Sequence, residues 1–193
     1  MILSVHQPTF FPHYQFFEKV RKSDKFVFFC SAQYEKAGYQ NRFWMNNKWY
    51  TMSVNHGEIP IYDKGYVNSE KDWNRIKSSL PEYKYILNIF DDCFKYSTSL
   101  QNINIDIIER IWQILGIKKE WYEFIDNFIP ELDKTDKLIY LCRQYKADTY
   151  LSGIGAKKYL DESKFGKAKI KLIWQKETKA VGKPILEVLK EKL

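Results

Sequence analysis

Cysteine and histidine are scarce in this chain, and their spacing excludes more than their number does. Cys30, Cys93 and Cys142 are odd in count, far apart and never arranged as C-x-x-C. That pattern fits reduced, buried thiols and argues against a disulfide framework and a zinc site. His6, His13 and His56 are too few and too dispersed for a histidine-rich metal centre. Long apolar runs are missing too: nothing approaches the roughly 18 residues of a membrane-spanning helix. The chain opens without a basic segment or a small-residue cleavage site, which leads to the expectation of a cytoplasmic protein. Internal repeats and low-complexity tracts are absent, as are the signatures of an RNA-recognition motif, a zinc finger or a helix-turn-helix.

What is present suits one compact α/β domain. The chain has 193 residues, of which 45% are hydrophobic. A formal charge of +7 comes from 31 Lys and Arg against 24 Asp and Glu, with lysines scattered along the chain. A basic balance favours anionic partners such as phosphates, nucleotide sugars or nucleic acid, while dispersed charge is equally the mark of a solvated surface. The nearest approach to a cluster is Lys157, Lys158, Lys164, Lys167, Lys169 and Lys171.

The order of elements is legible. Ile2, Leu3 and Val5 read as a buried strand that stops at His6-Gln7-Pro8. Pro8 holds Gln7 extended, and Pro12 suits the first turn of a helix carrying Tyr14, Phe16, Phe17 and Val20. Lys25-Phe-Val-Phe-Phe29 is a second strand, so the opening reads as a strand–helix–strand unit with a parallel pair. Arg42–Met45 and Trp49–Val54 flank Asn46-Asn47-Lys48 as a hairpin. The stretch from His56 to Asn68 reads as a loop that could move. Helices follow over 69–80, interrupted by Pro81, then through Phe94, and over 100–115 with Gly116 at its end. A helix after Asp133, a strand at Thr149–Leu151 and a helix starting at Ala156 come next. An edge or half-exposed strand at Lys169–Trp174 and an amphipathic helix from Pro184 close the chain. The expected architecture over 1–193 is a Rossmann-like three-layer core with a mainly parallel sheet, an inserted β-hairpin and additional helices at about 40–130.

Three groups of residues are candidates for chemistry. His6 and Gln7 stand where a strand hands over to a helix, the edge at which open α/β sheets bind ligands, and imidazole titrates near neutrality. Gln33, Gln40, Asn41 and Arg42 offer amides for hydroxyl or base edges and a guanidinium for a carboxylate or phosphate. Ser152, Gly153 and Gly155 lie between a strand and a helix, where backbone N–H groups and the helix dipole favour an anion. They lack the third glycine of a dinucleotide fingerprint and a Walker lysine. Asp133, Thr135 and Asp136 read as a helix cap with first-turn acids.

Taken together, these residues resemble the WbqC-like family, associated with bacterial O-antigen and other surface-polysaccharide biosynthesis. The resemblance rests on His6-Gln7-Pro8 with Pro12, on Gln33-Tyr-Glu-Lys36, and on Gln40-Asn-Arg42. It continues in Lys134-Thr135 with Leu138 and in Ala147-Asp-Thr-Tyr-Leu-Ser-Gly153, with Ala156 and Tyr159-Leu160. Its order holds over about residues 1 to 175. The departures are Cys30-Ser31 where the family usually has an acidic pair, and Tyr14-Gln15-Phe16 where a helix glycine is common. Asp72 replaces a histidine, and the tail after Gln175 is altered.

The resemblance implies a cytoplasmic transferase placing an aminoacyl or acyl group, glycyl for example, on an amino-sugar precursor. ATP with Mg²⁺ or an acyl thioester would supply the activation, no metal site is implied, and the ligands would be a nucleotide-linked amino sugar with an amino-acid or acyl donor. In that reading His6 and Gln7 are catalytic. Gln33, Gln40, Asn41, Arg42, Lys134 and Thr135 bind substrate, with Arg42 on a carboxylate, while Ser152, Gly153 and Gly155 hold a phosphate. A non-catalytic binding or assembly protein of the same pathway remains the alternative, followed by a nucleic-acid binder.

Overall fold

The computed structural model describes residues 1–124, 132–176 and 182–193. In chain order the elements open with β1 (Ile2–His6), α1 (Tyr14–Lys22), β2 (Lys25–Phe29), β3 (Arg42–Met45) and β4 (Lys48–Thr51). Then come α2 (Ser69–Ser79), α3 (Lys84–Leu87), α4 (Leu100–Ile114), β5 (Trp121–Phe124) and α5 (Lys134–Gln144). The last are β6 (Thr149–Ser152), α6 (Glu162–Lys167), β7 (Lys171–Trp174) and α7 (Ile185–Lys190). The chain divides into two compact units. The first takes Met1–His6, Gln15–Phe29 and Lys119–Val181; the second takes Gln7–Tyr14, Cys30–Lys118 and Gly182–Leu193.

The first unit is built on a five-stranded, all-parallel sheet in the order β5-β2-β1-β6-β7. Helices flank it, giving the α/β three-layer class that the sequence led us to expect. Strands buried on both faces read as unbroken apolar runs, and β2 shows why. Val27 joins Leu3, Val5, Tyr150, Leu141 and Phe165 in one core cluster. Its neighbours Phe26 and Phe28 point to the opposite face, where the Phe16 ring of α1 meets Phe26 at 5.4 Å. β7 is an edge strand, as its alternation suggested. The other edge, β5, went unread because Trp-Tyr-Glu-Phe is short and only half buried; its register against β2 (Phe26↔Trp121) supplies the pairing. The helix expected to start at Ala156 begins instead at Glu162. Residues 154–158 form a 3-10 turn without a side-chain cap, while Asp161 caps α6 by accepting from the Ser163 N–H.

The second unit carries the antiparallel hairpin β3–β4, whose turn residues Asn46 and Asn47 both take positive φ (51° and 56°), as a type I′ turn requires. β4 stops at Thr51, short of the expected Val54, because the Ser53 N–H donates to the Asp72 carboxylate at 2.6 Å. α4 is capped by Ser99, which accepts from the Asn102 N–H, and the chain leaves it through Gly116 at φ 67°. The loop from His56 to Asn68 is anchored by one of its own residues. Lys64 is buried, donating to the Asn55 and Gly57 carbonyls at 2.7 Å each, with its ammonium 4.7 Å from the Tyr34 ring. An aromatic core fills the unit: Phe11 stacks on Trp73 at 5.8 Å, and Trp73 on Phe94 at 4.6 Å. Among the described residues no helix is long and apolar enough to cross a membrane.

Candidate functional site

In the first unit the strand order creates a switch point. From β1 the chain builds outward through β2 and β5, then returns to the other side of β1 for β6 and β7. Open α/β sheets bind ligands at the carboxyl ends of the two strands flanking such a reversal. Those ends are His6 on β1 and Ser152-Gly153 on β6. Pairing between the two strands covers Ile2↔Thr149 and Leu3↔Tyr150, after which the Ser4 hydroxyl donates to the Leu151 carbonyl at 3.3 Å. The last residues of both strands therefore lie beyond the paired stretch.

Lys19 is the residue that sequence reasoning missed at this edge. It projects from α1, is 4% exposed, and donates through Nζ to the Val5 carbonyl at 3.2 Å, one residue before His6. Burial pushes its ammonium down to about 7, so it exchanges its proton near neutrality. The signal was in the helix: Lys19 stands three residues after Phe16 and one before Val20, on the face the apolar residues define. His6 packs edge-on against Phe16 of the same helix, ring centroids 5.1 Å apart.

Across the switch point, Ser152 is buried and its hydroxyl lies 3.4 Å from the Gly153 carbonyl. A Cβ at Gly153 or Gly155 would meet nothing within 4 Å, and neither residue takes a positive φ. These glycines leave open space above the strand end, but the five-residue 3-10 turn there brings no α-helix dipole to an anion. Thr135 and Lys134 are structural in their contacts. Asp133 caps α5 through the Thr135 and Asp136 N–H groups, the Thr135 hydroxyl accepts from the Asp161 N–H at 3.1 Å, and Lys134 lies over the Tyr159 ring at 5.2 Å. Within the lysine-rich stretch, Lys164 is engaged by Asp133 and Asp136.

In the second unit, Gln7 and Gln40 are brought together: Gln40 Nε2 donates to Gln7 Oε1 at 2.7 Å. Asn104, fully buried on α4, organises both segments. Its Nδ2 donates to the Gln40 carbonyl at 2.7 Å and to the Pro8 carbonyl at 3.0 Å, and its Oδ1 accepts from the Tyr66 hydroxyl at 2.7 Å. An asparagine inside the apolar stripe of Leu100, Ile103, Ile107 and Ile111 was the available signal. Arg42 donates to the Gly38 carbonyl at 3.0 Å and to the Ala37 carbonyl, and its guanidinium lies 3.9 Å from the Trp49 ring. Its contacts thus hold the loop that ends in Gln40. Asn41 donates to the Met52 carbonyl at 2.7 Å and so braces the hairpin, while Gln33 is exposed and bridges to Pro60, apart from the Gln7–Gln40 pair. Arg42→Ala is expected to cost about 1–2 kcal/mol in urea unfolding, from the lost guanidinium–indole contact and two carbonyl partners. It should also speed hydrogen exchange at the Gly38 amide, which donates to Glu35.

A cavity of about 450 Å³ also opens in this unit, lined among others by Asp92, Cys93, Tyr96, Asp106 and Arg110. It contains none of the sequence-derived candidates, and its carboxylates are engaged by Lys95 and Arg110.

The model of the WbqC-like protein family matches residues 7–181. The chain belongs to the WbqC-like protein family. It is also similar to Rv1507c of Mycobacterium tuberculosis, itself an uncharacterized protein, at 25% identity over 195 residues. That match covers 89% of this chain and 80% of the relative. No solved structure matches. Two departures from the usual WbqC-like pattern have a visible role here. Cys30 is fully buried with its carbonyl accepting from the Tyr62 N–H, and Asp72 ties α2 to the end of the hairpin through the Ser53 N–H. The altered tail falls partly on residues 177–181, outside the described residues.

Proposed function

We propose that this WbqC-like protein forms an amide, transferring an aminoacyl or acyl group to the amino group of a nucleotide-linked amino-sugar precursor of surface polysaccharide. The observation that carries the reading is the end of β1. A buried lysine that titrates near neutrality donates to the Val5 carbonyl, one residue before the histidine that closes the strand at the switch point of a parallel sheet. An amine attacks an activated acyl carbon only as the free base, so the site must take up a proton near pH 7. Lys19 suits that task, since a base works best when its pKa lies near the operating pH, and His6 is the imidazole at the same strand end. The nitrogen–carbon bond forms, the leaving group departs with its electron pair, and the ammonium proton passes to the base. An adenylate made from ATP with Mg²⁺ and an acyl thioester are the two classes of donor that fit. The open backbone after Ser152 is suited to the anionic part of either.

In the second unit, Arg42 fixes the loop that carries Gln40, whose amide pairs with Gln7. The basic surface favours an anionic, nucleotide-linked substrate. Family membership supports the pathway, and the depressed lysine supports the chemistry. The test is ligand-dependent thermal stabilisation, followed by turnover. A true substrate at about 100 times its dissociation constant adds roughly 2.7 kcal/mol of stability. His6→Ala should leave the fold intact and lower the rate by on the order of 10²–10⁴. Unchanged turnover in His6→Ala would sink the assignment of that residue.

A further inference from the structure

The cavity of about 450 Å³ lies wholly within the second unit, walled by α4 on one side and by residues of the segment 92–97 on the other. Its volume falls in the range of roughly 300–1,000 Å³ usual for small-molecule sites. The walls are held by their own contacts. Phe94 stacks on Trp73 at 4.6 Å, the Tyr66 N–H donates to the Thr98 carbonyl at 2.8 Å, and Ser99 caps α4. Asn102, Asp106 and Arg110 follow one another at intervals of four on α4, so polar groups recur along about 12 Å of one helix face. Ile103 beside them is 1% exposed and gives the cavity an apolar wall.

Charge in the cavity is already balanced. Asp106 holds Arg110, and Asp92 holds Lys95 at 2.6 Å. A ligand ion would have to displace one of these partners, so the site favours a neutral ligand. Cys93 brings no covalent chemistry. Burial, and then its hydrogen bond to Asp106, push the thiol pKa far up, so it stays protonated.

What the cavity does offer is donors beside acceptors. Arg110 spends three of its five N–H groups, on the Ile89 carbonyl at 2.9 Å and on Asp106 at 3.3 and 3.5 Å. The other two have no partner among the described residues, and neither do the N–H groups of the Asn102 amide, whose oxygen accepts from Gln101. Lys95 engages Asp92 through Oδ1, while Ser97 Oγ accepts from the Ser99 N–H and keeps its own proton to give. Such a mixture suits hydroxyl groups, each of which both donates and accepts. Tyr96 lines the cavity yet is 88% exposed, so its ring stands open at the mouth. An aromatic face carries the negative part of the ring quadrupole, which the C–H bonds of a sugar ring complement.

We propose that this cavity binds a neutral pyranose, with Asn102, Asp106 and Arg110 on its hydroxyls and Tyr96 against its ring. The site belongs to the second unit by itself; it goes beyond the transferase reading and does not depend on it. The experiment is ¹³C–¹H NMR of the Ile103 methyl groups in the intact protein, titrated with D-glucose, D-galactose and N-acetyl-D-glucosamine. The expected result is a saturable shift with at least one of them. The methyl glycoside of the responding sugar is titrated alongside: a glycan residue keeps its binding in that form, and a free reducing sugar loses it. Cyclohexanol, a ring of similar shape with a single hydroxyl, should bind roughly tenfold more weakly or worse. Asn102→Ala and Tyr96→Ala, both at exposed positions, should each weaken the sugar by about tenfold without loss of fold. The proposal is overturned if no sugar gives a saturable shift by about 100 mM, if cyclohexanol matches the sugars, or if either variant binds like the native chain. It is overturned as well if inorganic phosphate or ethylammonium moves Ile103 at lower concentration than any sugar, which would make the cavity an ion site.

Discussion

Lys19→Met is expected to raise stability near pH 7 and to flatten its pH dependence up to about pH 10.5. Lys19 carries its charge freely in the unfolded chain with a value of 10.5, but burial lowers it to about 7 in the fold. Between those limits the unfolded state binds the extra proton, so the native protein gains stability as pH rises and loses it as pH falls towards 7. At about 1.4 kcal/mol per pH unit, this window carries roughly 4–5 kcal/mol. Methionine fills a similar volume without a charge to desolvate. Subtracting the variant's urea-unfolding curve from the native one at each pH cancels groups common to both. A difference that stays level from pH 7 to 10.5 would show that Lys19 keeps an ordinary pKa. The same variant should lose transfer activity, so stability and function move in opposite directions at this position.

Asn104→Ala is expected to cost about 2–3 kcal/mol, because it removes three buried hydrogen bonds at once. The Pro8 carbonyl loses its donor, while the Gln40 carbonyl and the Tyr66 hydroxyl keep only the 3.3 Å bond between them. Asn104→Asp separates the parts of this network. An aspartate still accepts from Tyr66 but donates nothing to the two carbonyls, so it should be destabilised as well, although its shape is unchanged. Guanidinium or urea midpoints read both changes, with the slope unchanged if the unfolded state is unaffected. A loss under 1 kcal/mol in both variants would mean that the network does not hold the Gln7-Pro8 segment.

The outline of the fold could be read from the chain because its strands obey simple rules. Lys25–Phe29 is apolar on both faces because both are covered, and Asn46-Asn47 announces a hairpin because both residues tolerate left-handed backbone. β5 escaped because a short, half-exposed edge run has no periodicity to detect. The Ser152 turn misled because Asp161, a better cap than anything near Gly153, captures the helix start further along.

The candidate site was legible in the placement of its residues along the fold more than in their contacts. His6 does close β1 beside the reversal, and Gln7 does meet Gln40. Yet Asn41, Arg42 and Thr135 engage backbone atoms through their side chains, a matter of three-dimensional proximity that spacing does not encode. Lys19 and Asn104 stood in plain view as polar residues on apolar helix faces. Helical periodicity alone treats such positions as imperfections in a stripe, whereas burial turns them into the most consequential groups of the protein.

The central claim is amide formation on an amine. Its most direct test is mass spectrometry of a nucleotide-linked amino sugar incubated with the purified protein and either glycine with ATP and Mg²⁺ or an acyl thioester. The account predicts an acceptor mass increased by the donor's carboxylic acid minus water, lost in His6→Ala and in Lys19→Met. An unmodified acceptor with every donor, from protein that binds the amino sugar, would contradict it.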